Sequence, residues 1–265
     1  MDFAQADLDA AERDALERFA ARTLGRAAAA RIGVPIRDEM FTVAARNHGG
    51  TLAGLKAYLQ TGKAVAAALA EILRAEGVDP RDVRRYLDFA GGYGRNLRFI
   101  RDALPEAALH LAEIDREAVD FARESLGATG HYSTLMAADF DCAERFDAIL
   151  VVSLFSHLRP PVFDDWVARL IGLLAPGGVL ALTTHPVDAP RGRFDWEEIA
   201  PGRFYFARVS EAGGRLPAEY YGGSLVGADY VAALADRAGA RVSQTLPRRI
   251  GGQDVHVIRT PARPG

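Results

Sequence analysis

The chain has one cysteine, Cys142, in 265 residues, which excludes an internal disulfide and any cysteine-rich metal site. It also lacks an uninterrupted apolar run long enough to cross a bilayer. An excess of charge of one sign is missing too. Lys and Arg number 32 against 35 Asp and Glu, a formal net charge of -3, so nothing draws the chain at long range to nucleic acid or an anionic membrane. The opening stretch, MDFAQADLDAAERDALERFAARTLGR, is acidic at its start and has no continuous apolar core, unlike a secretory or transit peptide. A cytoplasmic protein, with neither a nucleic-acid nor a membrane partner, is the expectation.

What is present is ordinary for a globular protein: 49% hydrophobic and 25% charged residues. The length suits one sizeable α/β domain with an extension. Leu8, Leu16, Phe19 and Leu24 give a loose helical stripe, and RAAAARIG after it reads as a helix end. LAGLKAYLQTGKAVAAALAEILRAEG is helical and stops at Gly77, with a possible break at Thr61-Gly62. Residues 1–80 are thus expected to form a helical cap, and residues 81–265 the core.

From Arg85 the pattern turns to alternating strands and helices. RYLDFA, ALHLAEI, HYST, FDAILVVS and VLALTTH read as strands, with RNLRFIRDAL, REAVDFARESLG, FDDWVARLIGLL and ADYVAALADRAG as helices. Strands apolar nearly throughout, such as Ile149 to Val152, suit a mostly parallel sheet covered on both faces. The expected fold is a doubly wound α/β sheet. At the end, ARVSQTLPRR and QDVHVIRTP are joined through Gly251-Gly252 with no helix between them, so the last strand must run antiparallel.

The first strand ends in Gly91-Gly92-Tyr93-Gly94, beyond the carboxyl end of a parallel strand, where ligands of open sheets sit. Glycine lets a ligand approach the main chain closely. Glu113 ends the second strand about twenty residues on, where a carboxylate can accept both ribose hydroxyls. Asp115 is its rival, though it stands before REAVDFAR as a helix N-cap would. After the third strand, Asp139 can accept from an adenine amino group with Phe140 packing on the ring. Leu97 stands where a dinucleotide site wants its third glycine, and no P-loop Gly-Lys-Ser/Thr is present. The spacing therefore suits a nucleoside without pyrophosphate.

These motifs in order, Asp88-x-x-x-Gly92-x-Gly94, Glu113, Asp139-Phe140, FDAILVVSLFSHL and LLAPGGVLALTTH, resemble those of class I S-adenosylmethionine-dependent methyltransferases. Tyr58-Leu59-Gln60-Thr61-Gly62 is similar to a helix that precedes the core in bacterial members of unassigned substrate. The resemblance implies a seven-stranded sheet with the last strand inserted antiparallel, and S-adenosylmethionine as cofactor. It places Asp88, Phe89, Ala90, Gly91, Gly92 and Gly94 along the methionine part and Glu113 on the ribose. Ile114, Asp139 and Phe140 would meet the adenine, with Ser153 and Leu154 lining the other side. Gly91 and Glu113 depart from the usual pattern, in which a small residue or cysteine and an aspartate stand there; the carboxylate is retained.

A methyl acceptor needs a base only if it arrives protonated. His157 and His185 follow the fourth and fifth strands and are the candidates, each weighed against a structural histidine. A metal site from His157, His185 and Asp188 has no supporting ligand spacing, and no metal is expected. YGGSLVG around Ser224 falls short of a nucleophile elbow, because Val226 replaces its second glycine. The segment 186–227 is long for a connection and rich in aromatics, including Tyr220 and Tyr221. With Tyr58 and the cap it is the expected enclosure for a small-molecule substrate. Arg191, Arg193, Arg203 and Arg208 could hold an acidic group there, or simply face solvent. Two rivals stay open: a cofactor-binding protein without chemistry, and a nicotinamide-dependent oxidoreductase.

Overall fold

The computed structural model describes residues 2–24, 32–209 and 216–262. The reading of residues 26–31 as a helix end falls outside them. Seven strands form one sheet in the order β3-β2-β1-β4-β5-β10-β9. They are β1 (Arg85–Phe89), β2 (Ala108–Glu113), β3 (Thr129–Tyr132), β4 (Phe146–Val151), β5 (Leu174–Thr184), β9 (Arg241–Ile250) and β10 (Gln253–Arg259). A second sheet, in the order β6-β7-β8, consists of β6 (Trp196–Ala200), β7 (Phe204–Ala207) and β8 (Gly223–Val226). No helix among the described residues is long and apolar enough to cross a membrane.

The chain divides into two compact units: Met1–Val83 with Gly91–His131, and Arg84–Ala90 with Tyr132–Gly265. In the first unit, α1 (Ala10–Thr23) opens with a capping box between Asp9 and Glu12 and buries Leu16 and Ala20. Helix α2 (Glu39–His48) starts on Asp38, whose carboxylate accepts from the Met40 and Phe41 amides. Helix α3 (Thr51–Ala75) is one unbroken helix, so the expected break at Thr61-Gly62 does not occur. Gly62 serves packing instead: a Cβ there would stand 2.3 Å from the Arg95 carbonyl oxygen and 2.9 Å from the Phe99 ring. Gly54 does the same against α2, where a Cβ would lie 2.4 Å from Ala45 Cα. Both glycines are points where backbone meets backbone.

Helices α4 (Leu97–Ala103) and α5 (Arg116–Leu126) complete this unit. Helix α5 is strongly amphipathic, burying Ala118, Val119, Phe121, Ala122 and Leu126, and ends in left-handed Gly127. Phe121 holds Phe3 at 6.3 Å and Tyr93 at 5.8 Å between ring centroids. Arg37 donates to both carboxylate oxygens of Glu117 at 2.6 and 2.8 Å.

In the second unit β1 and β5 lie parallel to β4, while β10 runs antiparallel to both β5 and β9, as its loop-only connection requires. Helix α6 (Val162–Gly172) brings Trp166 onto Phe89, with centroids 4.6 Å apart, and Phe140 joins them at 5.6 to 5.7 Å. The small antiparallel sheet was not foreseen from the sequence. It is pinned by Phe204, whose ring lies 5.2 Å from Phe163 on α6 and 5.0 Å from Tyr230 on α7 (Ala228–Arg237). Burying a ring of this size stabilises by roughly 1.5–3 kcal/mol.

Candidate functional site

In the first unit the glycine bend and the end of β2 form one hydrogen-bonded piece. The Glu113 carboxylate accepts from the amides of Gly92 at 2.9 Å, Ile114 at 2.7 Å and Asp115 at 3.2 Å. Burial pushes its carboxyl above the ordinary range, and the three N–H bonds pull the other way. Asp115 does what the sequence suggested: its side chain accepts from the Glu117 amide and caps α5.

The glycines of the bend have different reasons. Gly92 has φ +52°, and a Cβ on it would meet nothing within 4 Å. Gly94 has φ +73°, and its Cβ would stand 2.4 Å from Leu126 Cδ1. Gly94 is thus required by the protein's own packing, whereas Gly92 keeps a piece of backbone open. Ile114 beside it is 39% exposed, an unusual state for a large aliphatic residue that suits a surface meeting a flat ring.

Tyr58, expected at the substrate, lies in the core of this unit. It is 1% exposed, its hydroxyl donates to Asp38, and burial and that carboxylate raise its pKa. The physical reason is the cap of α2: Asp38 is itself 3% exposed and needs the phenol as a donor.

In the second unit Asp88 is 1% exposed, and Ala90 takes the left-handed φ of +55° at the end of β1. Asp139 closes a short 3-10 turn, Ala137–Asp139, with its carboxylate exposed. Phe140 is 2% exposed among Phe89 and Trp166, so its ring belongs to the core.

Ser153 follows β4 with φ +64°, a conformation that a non-glycine residue holds only when its surroundings fix it. Its amide donates to Thr183 Oγ1 at 2.8 Å, and its Oγ accepts from Gln253 Nε2 at 3.0 Å. Thr183 in turn donates to Gln253 Oε1 at 2.5 Å, and Ser156 Oγ donates to the Ser153 carbonyl at 2.9 Å. Gln253 and Thr183 escaped the sequence reading, since a polar residue at a strand end carries no signal of its partner.

The two candidate histidines come together. His157 and His185 have ring centroids 6.4 Å apart, edge to face, and Tyr221 stacks on His157 at 5.1 Å and 18°. The segment around β8 runs past both. Gly222 N donates to the His157 carbonyl at 2.7 Å, His157 Nδ1 lies 2.8 Å from the Gly222 carbonyl, and Val226 N donates to the His185 carbonyl at 2.8 Å. Tyr220 contributes its carbonyl, which accepts from Arg159 N at 3.0 Å. Ser224 is fully buried and donates to the Leu158 carbonyl at 2.6 Å, a structural role. Asp188 accepts from Arg248 at 3.0 Å. Arg191 lies over the Tyr205 ring at 3.8 Å, and Arg203 stands 3.8 Å from Asp229. Arg191 is thus engaged within the insertion and Arg203 with the helix that follows it, while Arg193 and Arg208 are exposed.

Compared with known proteins, residues 87–180 match the family model described as a methyltransferase domain. No curated protein matches the chain by sequence. Among solved structures, it is similar to an amino pentose methyltransferase from Micromonospora echinaspora with S-adenosylmethionine bound. That match has 19% identity and a TM-score of 0.58, covering 85% of this chain and 98% of that one. A sugar N-methyltransferase from a Streptoalloteichus species gives 18% identity and a TM-score of 0.58, covering 86% and 95%. A 1,6-didemethyltoxoflavin-N1-methyltransferase from Burkholderia thailandensis, holding its substrate and S-adenosylhomocysteine, gives 18% identity and a TM-score of 0.51, covering 75% and 79%. At such identities the likeness is one of fold. Strand order and the antiparallel last strand agree with the fold that the motif resemblance implies, and the segment matched by the methyltransferase-domain model, residues 87–180, lies within that fold.

Proposed function

We propose that the protein transfers a methyl group from S-adenosylmethionine to the nitrogen or oxygen of a small-molecule acceptor. The observation that carries this reading is the Glu113 carboxylate, tied to the Gly92 amide at 2.9 Å beside an open glycine face. A carboxylate at that strand end suits the two hydroxyls of a ribose, and the open face suits a ligand lying close along the main chain. When bound, the cofactor supplies a methyl group already activated on a sulfonium. The chain's own tasks are then to hold, align and exclude water.

In this assignment Glu113 takes the ribose, Ile114 flanks the adenine, and Asp139 accepts from its amino group. Asp88, Phe89, Ala90, Gly91, Gly92 and Gly94 serve the methionine part, and Ser153 and Leu154 line the cofactor. The buried Phe140 ring packs on Phe89, with centroids 5.7 Å apart. His157 is the proposed base and His185 its neighbour, with Tyr220 and Tyr221 on the acceptor side. The similar structures act on an amino pentose, a sugar and a didemethyltoxoflavin, which supports a small acceptor.

Thermal denaturation tests the reading. S-adenosylhomocysteine at a hundredfold its dissociation constant adds about 2.7 kcal/mol to native stability by mass action, so the melting temperature rises. NAD at equal concentration leaves it unchanged. Stabilisation by NAD alone would reverse the assignment.

A further inference from the structure

His157 makes a hydrogen bond whose direction is forced. The Gly222 carbonyl oxygen, 2.8 Å from Nδ1, can only accept, so the proton of the neutral imidazole stays on Nδ1 and Nε2 is the lone-pair nitrogen. The partner cannot easily move. Gly222 N donates back to the His157 carbonyl at 2.7 Å, closing a two-bond clamp, and Ser224 N and Oγ hold the carbonyls of Ser156 and Leu158. A Cβ at Gly222 would stand 2.2 Å from the Ala207 carbonyl oxygen of β7, so β7 and residue 222 lie backbone against backbone. Tyr221 adds a ring nearly parallel to the imidazole, 18° off and 5.1 Å away. A stacked neighbour fixes the plane of a ring, and the carbonyl fixes its flip.

We propose that Gly222 and Tyr221 are positioning residues for His157, fixing the Nδ1–H tautomer so that Nε2 is the proton-accepting nitrogen toward an acceptor arriving as a hydroxyl or a protonated amine. The proposal rests on the methyltransferase reading for its use, though not for its geometry. The proton count is simple. Methylation of O–H or N–H must release one proton; Nε2 takes it as the imidazolium forms, with Nδ1–H still bonded to the Gly222 carbonyl, and water removes it afterwards.

The tautomer is directly readable. In NMR spectra of protein with isotope-labelled histidine nitrogens, recorded well above the ordinary histidine pKa of about 6.5, His157 is identified by the signal missing from His157→Gln. The expected result is a protonated Nδ1 and an unprotonated Nε2 in the native protein and in Tyr221→Phe, and a mixture of tautomers in Tyr221→Ala. A protonated Nε2 in the native protein overturns the proposal outright. An unchanged tautomer in a folded Tyr221→Ala removes Tyr221 from it and leaves the Gly222 carbonyl as the positioning group. If Tyr221→Ala does not fold, the native protein and Tyr221→Phe still decide the tautomer. S-adenosylhomocysteine titrated calorimetrically into the same samples keeps the two readings apart: absence of binding sinks the cofactor assignment while the tautomer result stands.

Discussion

The end of β2 and the β4–β8 region solve the same problem, holding a reactive polar group still, by opposite means. Glu113 is fixed by amides within its own turn and by Gly92, from a bend twenty-one residues away in sequence. His157 is fixed by a carbonyl sixty-five residues away, that of Gly222 just before β8, in a segment that belongs to an insertion. The first device is local backbone geometry and suits a ligand whose shape does not vary. The second depends on a segment free to change its length and side chains, which suits the part of a site that selects. Loops and insertions set on a rigid sheet are where such variation is tolerated.

The sharpest way to break this contrast is His157→Ala. Loss of a general base lowers turnover by about 10²–10⁴-fold, with S-adenosylhomocysteine affinity unchanged. Turnover is measured as S-adenosylhomocysteine release with an acceptor found by screening small amines, phenols and sugars. Near-normal turnover in the folded variant would take His157 out of the mechanism, and a raised KM alone would make it an orienting group.

A smaller effect is expected at the other region. In its proposed role on the ribose, Glu113→Ala loses a charge-assisted contact and weakens S-adenosylhomocysteine binding by about 1.5–3 kcal/mol in calorimetry. The same carboxylate carries a pH signature. Burial raises its pKa, so on acidification it takes up a proton before an ordinary glutamate does, and the protonated form loses an acceptor for the ribose hydroxyls. Cofactor affinity therefore falls as pH drops through that raised value and is fully present above it. For stability the sign is opposite: the native state holds this proton above the pH at which the unfolded chain releases it, so the buried carboxylate costs stability at neutral pH. A flat affinity profile across the acid range would mean that Glu113 does not touch the ligand.

The smallest effect belongs to Asp115. Its carboxylate caps α5 through the Glu117 amide at 3.0 Å, so Asp115→Ala lowers stability by about 1 kcal/mol in a denaturant melt and leaves cofactor affinity alone. A greater affinity loss for Asp115→Ala than for Glu113→Ala would exchange the roles of the two acids.

Much of this was legible from residues in order. The apolar runs gave β1, β4 and β5, and the absence of a helix after β9 gave the direction of β10. Glu113 and Asp115 separated on register alone, strand end against helix start. Gly62 was misread because a glycine in a helical run looks the same whether it breaks the helix or lets another backbone in; only the Arg95 carbonyl tells them apart. Tyr58 was misplaced for a related reason, since its partner Asp38 lies twenty residues earlier as an N-cap. Strands β6 to β8 are four or five residues long, too short for a periodicity of two to stand out. The pairing of His157 with Gly222 had no sequence signature at all; the double glycine in YYGGSLV is its nearest trace.

The segment 222–226 touches His157 through Gly222, just before β8, and His185 through Val226, at the end of β8. The two histidines therefore share a single support and cannot be adjusted one at a time. Along a strand, a shift of one residue turns every side chain to the opposite face, so a change of length in the loop before β8 would swap Tyr221 for a neighbour, move the carbonyl at the His157 ring and shift the amide that holds the His185 backbone. On the proposed function, acceptor preference changes by exchange of one cassette, the insertion, more readily than by substitutions scattered through the core.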